Sequence, residues 1–249
     1  MRLINLIKTH SNWHRYYYYK YFGKSHESIT FKCRNGMQIN VPRRMVQTYK
    51  ESFLDEVYFK GLPKNYLSSK PVIIDIGANV GYFSLFSLVK YPDAKVVSFE
   101  PMPMNFKLLQ KYCSENTALD FTPVNKAVSG AVGHITLQYD ANDTFTTSAS
   151  IFDSACGGSD TLKVETTTLV DILDTHGLEK VDLLKLDCEG SEYCILYNAE
   201  DKVWERIGAL TIETHVGKET NENRDHLVSH LQLKGYTTKI EGDIVWAYR

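Results

Sequence analysis

From Pro71 onward the chain alternates short β-branched runs with helically spaced segments, and this alternation constrains the fold more than any other feature. PVIID (71–75) and KVVSFE (95–100) read as buried strands on either side of an amphipathic stretch over 82–91. NFKLLQKYCSEN (105–116) places Phe106, Leu109, Tyr112 and Cys113 at helical spacing. FTPVNKAV (121–128), HITLQY (134–139), LKVETTTL (162–169), VDLLKLD (181–187) and GALTIETH (208–215) read as further strands. Helices are expected over EYCILYNA (192–199) and 224–233. Strands that alternate with helices pack as a mainly parallel sheet covered on both faces. Residues 236–240 and 244–248 flank Gly242-Asp243 as a closing hairpin, so one late strand should run antiparallel.

The first 70 residues follow another pattern. Residues 1–22 read as an aromatic, basic helix or arm. ITFKC (29–33) and MQINV (37–41) alternate around Arg34-Asn35-Gly36, a strong hairpin signal. A polar helical stretch over 45–59, a turn at Gly61-Leu62-Pro63 and a linker to Lys70 complete the segment. The expected division is a 1–70 extension and an α/β domain over 71–249. Residues 1–70 carry 13 Lys/Arg against 4 Asp/Glu, and the remainder 15 against 26. Such an arm either packs on its own acidic body or attracts an anionic partner: a phosphorylated glycan, an acidic membrane surface or nucleic acid. Trp13, His14 and the aromatic run over 16–21 are suited to stacking on sugars, to peripheral membrane contact or to covering a neighbouring subunit, although aromatic runs more often pack against protein.

With 249 residues, 43% of them apolar, the chain can build a core without disulfides and is not disordered. No apolar run approaches the roughly 20 residues of a membrane helix, and the N-terminus lacks the pattern of a signal peptide. Five cysteines with no CxxC pair exclude a disulfide framework or a compact zinc site and make the cytoplasm the expected address.

The segment DIGANVGYFS, Asp75 to Ser84, follows a strand and opens a helix, the setting of a nucleotide-binding turn. Gly77 and Gly81 permit a tight turn and close approach of a ligand, and Asn79 tolerates a left-handed backbone. The spacing is G-x-x-x-G, with Asn79 where a dinucleotide fold has the glycine that makes room for a pyrophosphate. Asp75 adds a negative charge better matched to a cationic ligand. Glu100 ends the second strand in SFEPMP, where an acid can accept both hydroxyls of a ribose. The two features together point to S-adenosylmethionine (SAM), with Asp75 near its amino group or sulfonium. The alternative is an ordinary strand–helix turn and a solvated Glu100.

In this order DIGANVGYFSLF, VVSFEPMPMNFKLL, VNKAVSG, TTLVDIL, VDLLKLDCEGSEYCIL and LTIETH resemble the FkbM-type SAM-dependent methyltransferases. The resemblance runs roughly from Thr30 to Gly235 and includes the hairpin TFKCRNGMQI. It implies a class I methyltransferase, Rossmann-like sheet ordered 3-2-1-4-5-7-6 with one antiparallel strand, here with an N-terminal helical and β-hairpin extension. It implies action mostly on hydroxyls of sugars or natural products. By position, Asp75, Gly77, Ala78, Asn79, Gly81 and Ser84 belong to the SAM turn, Glu100 holds the ribose, and Asn105 and the segment over 125–128, with Ala127, lie near the adenosine.

LKLDCEGSE (184–192) ends a strand and enters a helix, and the next strand ends in Glu213-Thr214-His215. Ligands of open parallel sheets bind at the strands' carboxyl ends, so Asp187, Glu189, Glu213 and His215 are expected to converge on the SAM cleft. In-line positioning can supply about 7–11 kcal/mol of a barrier, and a base that takes the proton of an acceptor hydroxyl adds about 10²–10⁴-fold. His215 and Asp187 are the candidates for that base. Alternatively, Glu189 and Glu192 cap the following helix and His215 is structural. Asp187, Glu213 and His215 also suit a divalent ion, although no compact motif supports one. The Ser/Thr/Asp/Gly-rich segment over 140–161 has the length of a functional lid, with Ser148 and Ser150 as acceptor contacts and Cys156 incidental. The expected activity is thus transfer of a methyl group to a hydroxyl of a sugar, glycan or glycosylated small molecule. The alternatives are an amine, lipid head-group or nucleic-acid acceptor, or a non-catalytic binding module; an acidic body without an RNA-binding module argues against nucleic acid.

Overall fold

The computed structural model describes residues 2–23, 28–139 and 160–249. The segment carrying Ser148, Ser150 and Cys156 therefore lies outside the described residues.

The chain opens with α1 (Arg2–Thr9) and α2 (His14–Phe22), followed by β1 (Ser28–Lys32) and β2 (Gln38–Pro42), which pair antiparallel. The expected hairpin turns at Asn35-Gly36, where Gly36 has φ +94° and Asn35 Oδ1 accepts the Met37 N–H at 3.2 Å. Alternation directs Ile29, Phe31, Ile39 and Val41 inward. Helix α3 (Val46–Phe53) is shorter than the expected 45–59 stretch. Three residues after it ends, Glu56 adopts φ +49°, which a helix cannot continue, and the chain turns instead through Tyr58 and Phe59.

The remaining elements are β3 (Val72–Ile76), α4 (Tyr82–Lys90), β4 (Lys95–Phe99), α5 (Pro103–Glu115), β5 (Asp120–Val124), β6 (Ala127–Val128), β7 (Gly133–Tyr139) and β8 (Asp160–Thr167). They continue as α6 (Leu169–Thr175), β9 (Val181–Leu186), α7 (Glu192–Tyr197), α8 (Asp201–Arg206), β10 (Ile207–Glu213), α9 (Arg224–Leu233), β11 (Thr237–Glu241) and β12 (Ile244–Tyr248). The main sheet runs β5-β4-β3-β9-β10-β12-β11, which in strand order is the expected 3-2-1-4-5-7-6. Only β12 runs against its neighbours, pairing antiparallel with both β10 and β11. This is the class I methyltransferase arrangement.

Three further elements differ from expectation. FTPVNKAV is not one strand: it breaks after Val124, where Asn125 turns to donate to the carbonyls of Glu100 and Pro101 at 2.8 and 3.0 Å. Residues 127–128 then join β8 and β7 in a separate three-stranded sheet. LKVETTTL stops at Thr167 because Thr168 caps α6, its hydroxyl accepting the Asp171 N–H at 3.3 Å. Helix α8 has no counterpart in the expected pattern.

Successive strand residues face opposite sides, so the sheet separates two cores. Ile74, Val97, Leu184 and Leu210 face one, with α6, α7 and α9. Ile73, Val96, Leu183 and Ala209 face the other, which the N-terminal extension shares with α4. There Tyr49 stacks between Phe31 and Phe53, with centroids 4.7 and 4.4 Å away. Buried His10 hydrogen-bonds the Tyr49 hydroxyl, and burial pushes its pKa down to about 4, so it is neutral. Gly61 lies so close to Trp246 that a Cβ would stand 1.9 Å from the indole. Among the described residues no helix is long and apolar enough to cross a membrane.

Candidate active site

The turn after β3 has left-handed backbone at Gly77 (φ +73°), Asn79 (φ +52°) and Gly81 (φ +90°). The Gly77 and Ala78 N–H groups donate to the Phe99 carbonyl at 3.1 and 3.0 Å, fixing the turn against the end of β4. Gly77 is required by the end of the neighbouring strand, since a Cβ there would stand 1.8 Å from the Asp187 carbonyl oxygen. A Cβ on Gly81 would stand 2.4 Å from Leu109. Glu100 closes the turn: its Oε2 accepts the Asn79 N–H at 2.7 Å and its Oε1 the Met102 N–H at 2.9 Å. Burial pushes the Glu100 carboxyl up to about 7 against the opposing effect of these two donors.

Asp75 does not face the cleft. It is fully buried, and Ser84 donates to its Oδ2 at 2.5 Å. Because the single Ser84 proton is used there, Ser98, whose Oγ is 2.6 Å away, donates in turn to Ser84. The other Asp75 oxygen lies 3.0 Å from Lys185 Nζ. Lys185 also donates to the Gly77 carbonyl at 2.8 Å, lies 3.6 Å from Asp187 Oδ2 and sits over the Tyr58 ring at 5.2 Å. Burial alone would lower the Lys185 pKa, but Asp75 and Asp187 outweigh it and hold the ammonium charged. Asp75, Ser84 and Ser98 thus form a buried support that holds Lys185 under the turn.

Beyond Lys185, β9 delivers Asp187 to the cleft. The Tyr58 hydroxyl lies 2.9 Å from Asp187 Oδ2 and 3.0 Å from Glu213 Oε2, bridging the ends of β9 and β10. One hydroxyl proton cannot serve two carboxylates, and the Glu213 carboxyl is pushed up to about 7 by burial and by Asp187. Protonated Glu213 can donate to Tyr58 while Tyr58 donates to Asp187.

His215 lies on the far side. Its Nδ1 donates to Glu192 Oε1 at 3.0 Å and its Nε2 lies 3.6 Å from Glu189 Oε2. Glu192, fully buried, also accepts the Cys188 N–H at 2.9 Å. Burial would lower the His215 pKa, but Glu192 and Glu189 push it up to about 9. At neutral pH it is an imidazolium, which can hold an anion but cannot take a proton. Ligand atoms of Asp187, Glu189 and His215 lie within 4.8 Å of one another and could hold a cation once the imidazolium gives up a proton. That set contains Glu189 where the sequence pointed to Glu213.

These groups border one cleft of roughly 900 Å³, open mouth included. Gly77, Ala78, Asn79, Glu100, Asn105 and Ala127 line one part, and Tyr58, Lys185, Asp187 and Glu189 another. Glu213 and His215 stand behind Tyr58 and Glu189. Gly81 and Ser84 lie in the helix start beneath. Tyr58 and Lys185 are the site residues that the sequence reading missed; a lysine among the leucines of LLKL (183–186) was the available signal for one of them.

The fold and the site together describe a class I methyltransferase. The FkbM methyltransferase domain matches residues 75–238, well over half the chain, and the chain belongs to that family. It is a SAM-dependent methyltransferase. "Methyltransferase sdnD" of Sordaria araneosa is 31% identical over 216 residues, 76% of this chain and 80% of that protein. "31-O-demethyl-FK506 methyltransferase FkbM" of Streptomyces tacrolimicus is 26% identical over 228 residues, 80% of this chain and 84% of that protein. Among solved structures, a fibrillarin pre-rRNA processing protein of Methanococcus jannaschii aligns with a TM-score of 0.48 and 14% identity, covering 90% of this chain and 82% of that one.

The residues present fit SAM. The Asn79 Oδ1 is buried at the cleft without a hydrogen-bond partner among the described residues, an acceptor available to an ammonium or hydroxyl donor. Glu100 lines the cleft, as a ribose site requires.

Proposed function

We propose that this chain is an O-methyltransferase whose acceptor is a hydroxyl of a sugar or glycosylated small molecule, with Asp187 as the general base. The observation that carries the reading is the Asp187–Tyr58–Glu213 chain at the cleft wall. A hydroxyl has a high pKa, and its attack on a methyl group is assisted when a base takes the proton as the C–O bond forms. Bound SAM supplies an electrophilic methyl group on a cationic sulfur. Glu100 and Asn79 hold the ribose and the polar part of the donor. Lys185 and Tyr58 fix the Asp187 carboxylate so that one oxygen can face the acceptor hydroxyl and receive its proton. His215, charged at neutral pH, positions Glu189 rather than acting as a base. Residues 71–249 form the methyltransferase domain in this reading, and the 1–70 extension completes its site through Tyr58.

The name of the Streptomyces relative, a methyltransferase of a 31-O-demethyl compound, places its methyl group on oxygen and supports the acceptor class. The test is incubation of the protein with methyl-labelled SAM and fractionated glycans and glycosylated metabolites from the source cell. Label recovered as an alkali-stable methyl ether supports the reading. Label recovered only on amines, or on no fraction while SAM still binds, overturns it.

A further inference from the structure

We propose that the N-terminal extension is a docking surface for an anionic lipid bilayer, with a headgroup phosphate seated in a basic cleft between α2 and α3. Residues 1–50 contain ten Lys/Arg and a single acid, Glu27, and neither α1 nor α2 contains an acid. Lys8, Arg15 and Lys20 make no ion pair among the described residues, so these charges are not neutralised within the described fold.

The apolar groups lie among these charges. Helix α2 is anchored by one face, on which Tyr19 is buried and Tyr16 packs over Phe31. His14, Arg15, Tyr18, Tyr21 and Phe22 recur at helical spacing on the other face, all exposed. Tyr18, Tyr21 and Phe22 are 69%, 68% and 73% exposed, and the Tyr18 and Phe22 rings lie 5.5 Å apart. Leu3 and Ile4 of α1 are exposed as well. None of these side chains is needed to fill the core. Aromatic rings with a polar edge, set among cations on a short helix, match the boundary between headgroups and acyl chains.

The cleft provides a specific seat. Lys20 of α2 lines it together with Arg43 and Lys50, Tyr16 and Tyr19 form part of its wall, and no acid lines it among the described residues. It encloses about 650 Å³, open mouth included. Arg43 is held in place by donating to the Gly23 carbonyl at 2.7 Å and by lying over the Tyr19 ring at 5.3 Å. Three cations gathered on one cleft, with Glu51 reaching only its edge through Gln47 at 2.9 Å, favour a phosphate-bearing ligand. Val46, Gln47 and Lys50 of α3 line this cleft, whereas Thr48 and Ser52 of the same helix line the methyl-donor cleft. The two clefts are therefore separated by one helix, about 10 Å across. A bilayer on this surface would put its headgroups beside the site of transfer, although the docking does not depend on which acceptor is used.

The test is co-sedimentation of the full chain with phosphatidylcholine vesicles, with and without phosphatidylglycerol, over a salt series. The expected result is retention on the anionic vesicles alone, falling as salt rises. An Arg15→Glu/Lys20→Glu variant and a Tyr18→Ser/Phe22→Ser variant should each lower the vesicle partition coefficient by about tenfold or more. The Lys107→Glu variant, which reverses an exposed charge on α5, should leave it unchanged. Circular dichroism on each variant confirms folding. Equal retention on neutral vesicles, or loss of binding by Lys107→Glu equal to that of the α2 variants, overturns the proposal. So does self-association through this face without vesicle binding, detected as a dimer that the Tyr18→Ser/Phe22→Ser variant dissolves; it would assign the surface to a second copy.

Discussion

Lys185 Nζ lies 3.0 Å from Asp75 Oδ1 beneath the cleft, with side-chain exposures of 3% and 0%. The two residues are opposite each other in the parallel register of β3 and β9. The charge pair is thus part of the sheet and ties the turn after β3, through the Gly77 carbonyl, to the strand that delivers Asp187.

This pair predicts a non-additive stability series. Lys185→Met leaves the Asp75 carboxylate buried and uncompensated, at a cost of about 3–5 kcal/mol. Adding Asp75→Leu to that variant should recover much of the loss, because a buried ion pair replaced as a unit by apolar groups is often near neutral. Urea denaturation of the two single variants and the double variant measures the coupling. Additive single losses would show that the pair does not act as a unit.

Tyr58→Phe keeps the ring against Phe83, at a centroid distance of 5.3 Å, and removes only the hydroxyl. The fold should persist and the KM for SAM should change little. Loss of a hydrogen bond to a charged group corresponds to about a 10–100-fold fall in kcat. Because the Tyr58 hydrogen bond lowers the Glu213 pKa, its removal should move the acid limb of the rate profile to higher pH.

The pH profile of kcat/KM should rise through about 7, as Glu213 ionises and its negative charge favours transfer of the acceptor proton into the site. It should fall through about 9, as His215 loses its charge and releases Glu189. His215→Gln should abolish the upper limb while keeping the lower one. For stability, the folded pKa of His215 lies above its ordinary 6.5. Its contribution is therefore complete below about 6.5 and lost as pH rises through about 9. Thermal melts of the wild type and His215→Gln across this window measure the difference. A rate profile with a single limb near 6.5 would restore His215 to the role of base.

Glu100→Gln and Glu100→Ala separate structure from binding. Both lose the anionic acceptor of the Asn79 and Met102 N–H groups, but glutamine retains an acceptor oxygen. Calorimetric titration with SAM should show affinity falling about 10–100-fold in Glu100→Ala and less in Glu100→Gln. Equal, unchanged affinity in both variants would remove Glu100 from the ribose site.

The legibility of the site followed sequence locality. Gly77, Glu100, Asp187 and Glu213 each end a strand at the sheet's carboxyl edge, so the strand pattern and the edge rule were enough to gather them. Asp75 belongs to the same motif, but its orientation depends on Lys185 across the sheet, and no local pattern shows that its carboxylate turns away from the cleft. Tyr58 touches residues 129 and 155 positions further along, in a stretch that read as a helix. The protonation of His215 depends on Glu192, 23 positions away on another element. Likewise the small sheet of β6, β8 and β7 depends on a two-residue strand whose partner lies beyond a long intervening segment. The order of the main sheet was legible through a resemblance spanning many short motifs, and the pairing in the structure reproduces it.

The most direct test is a crystal structure with S-adenosylhomocysteine. The nucleoside is expected between the Gly77–Gly81 turn and Glu100, its ribose hydroxyls on the Glu100 carboxylate and its sulfur toward Asp187. A nucleoside bound elsewhere, or a sulfur directed away from Asp187 with no path to an acceptor hydroxyl, would contradict the account.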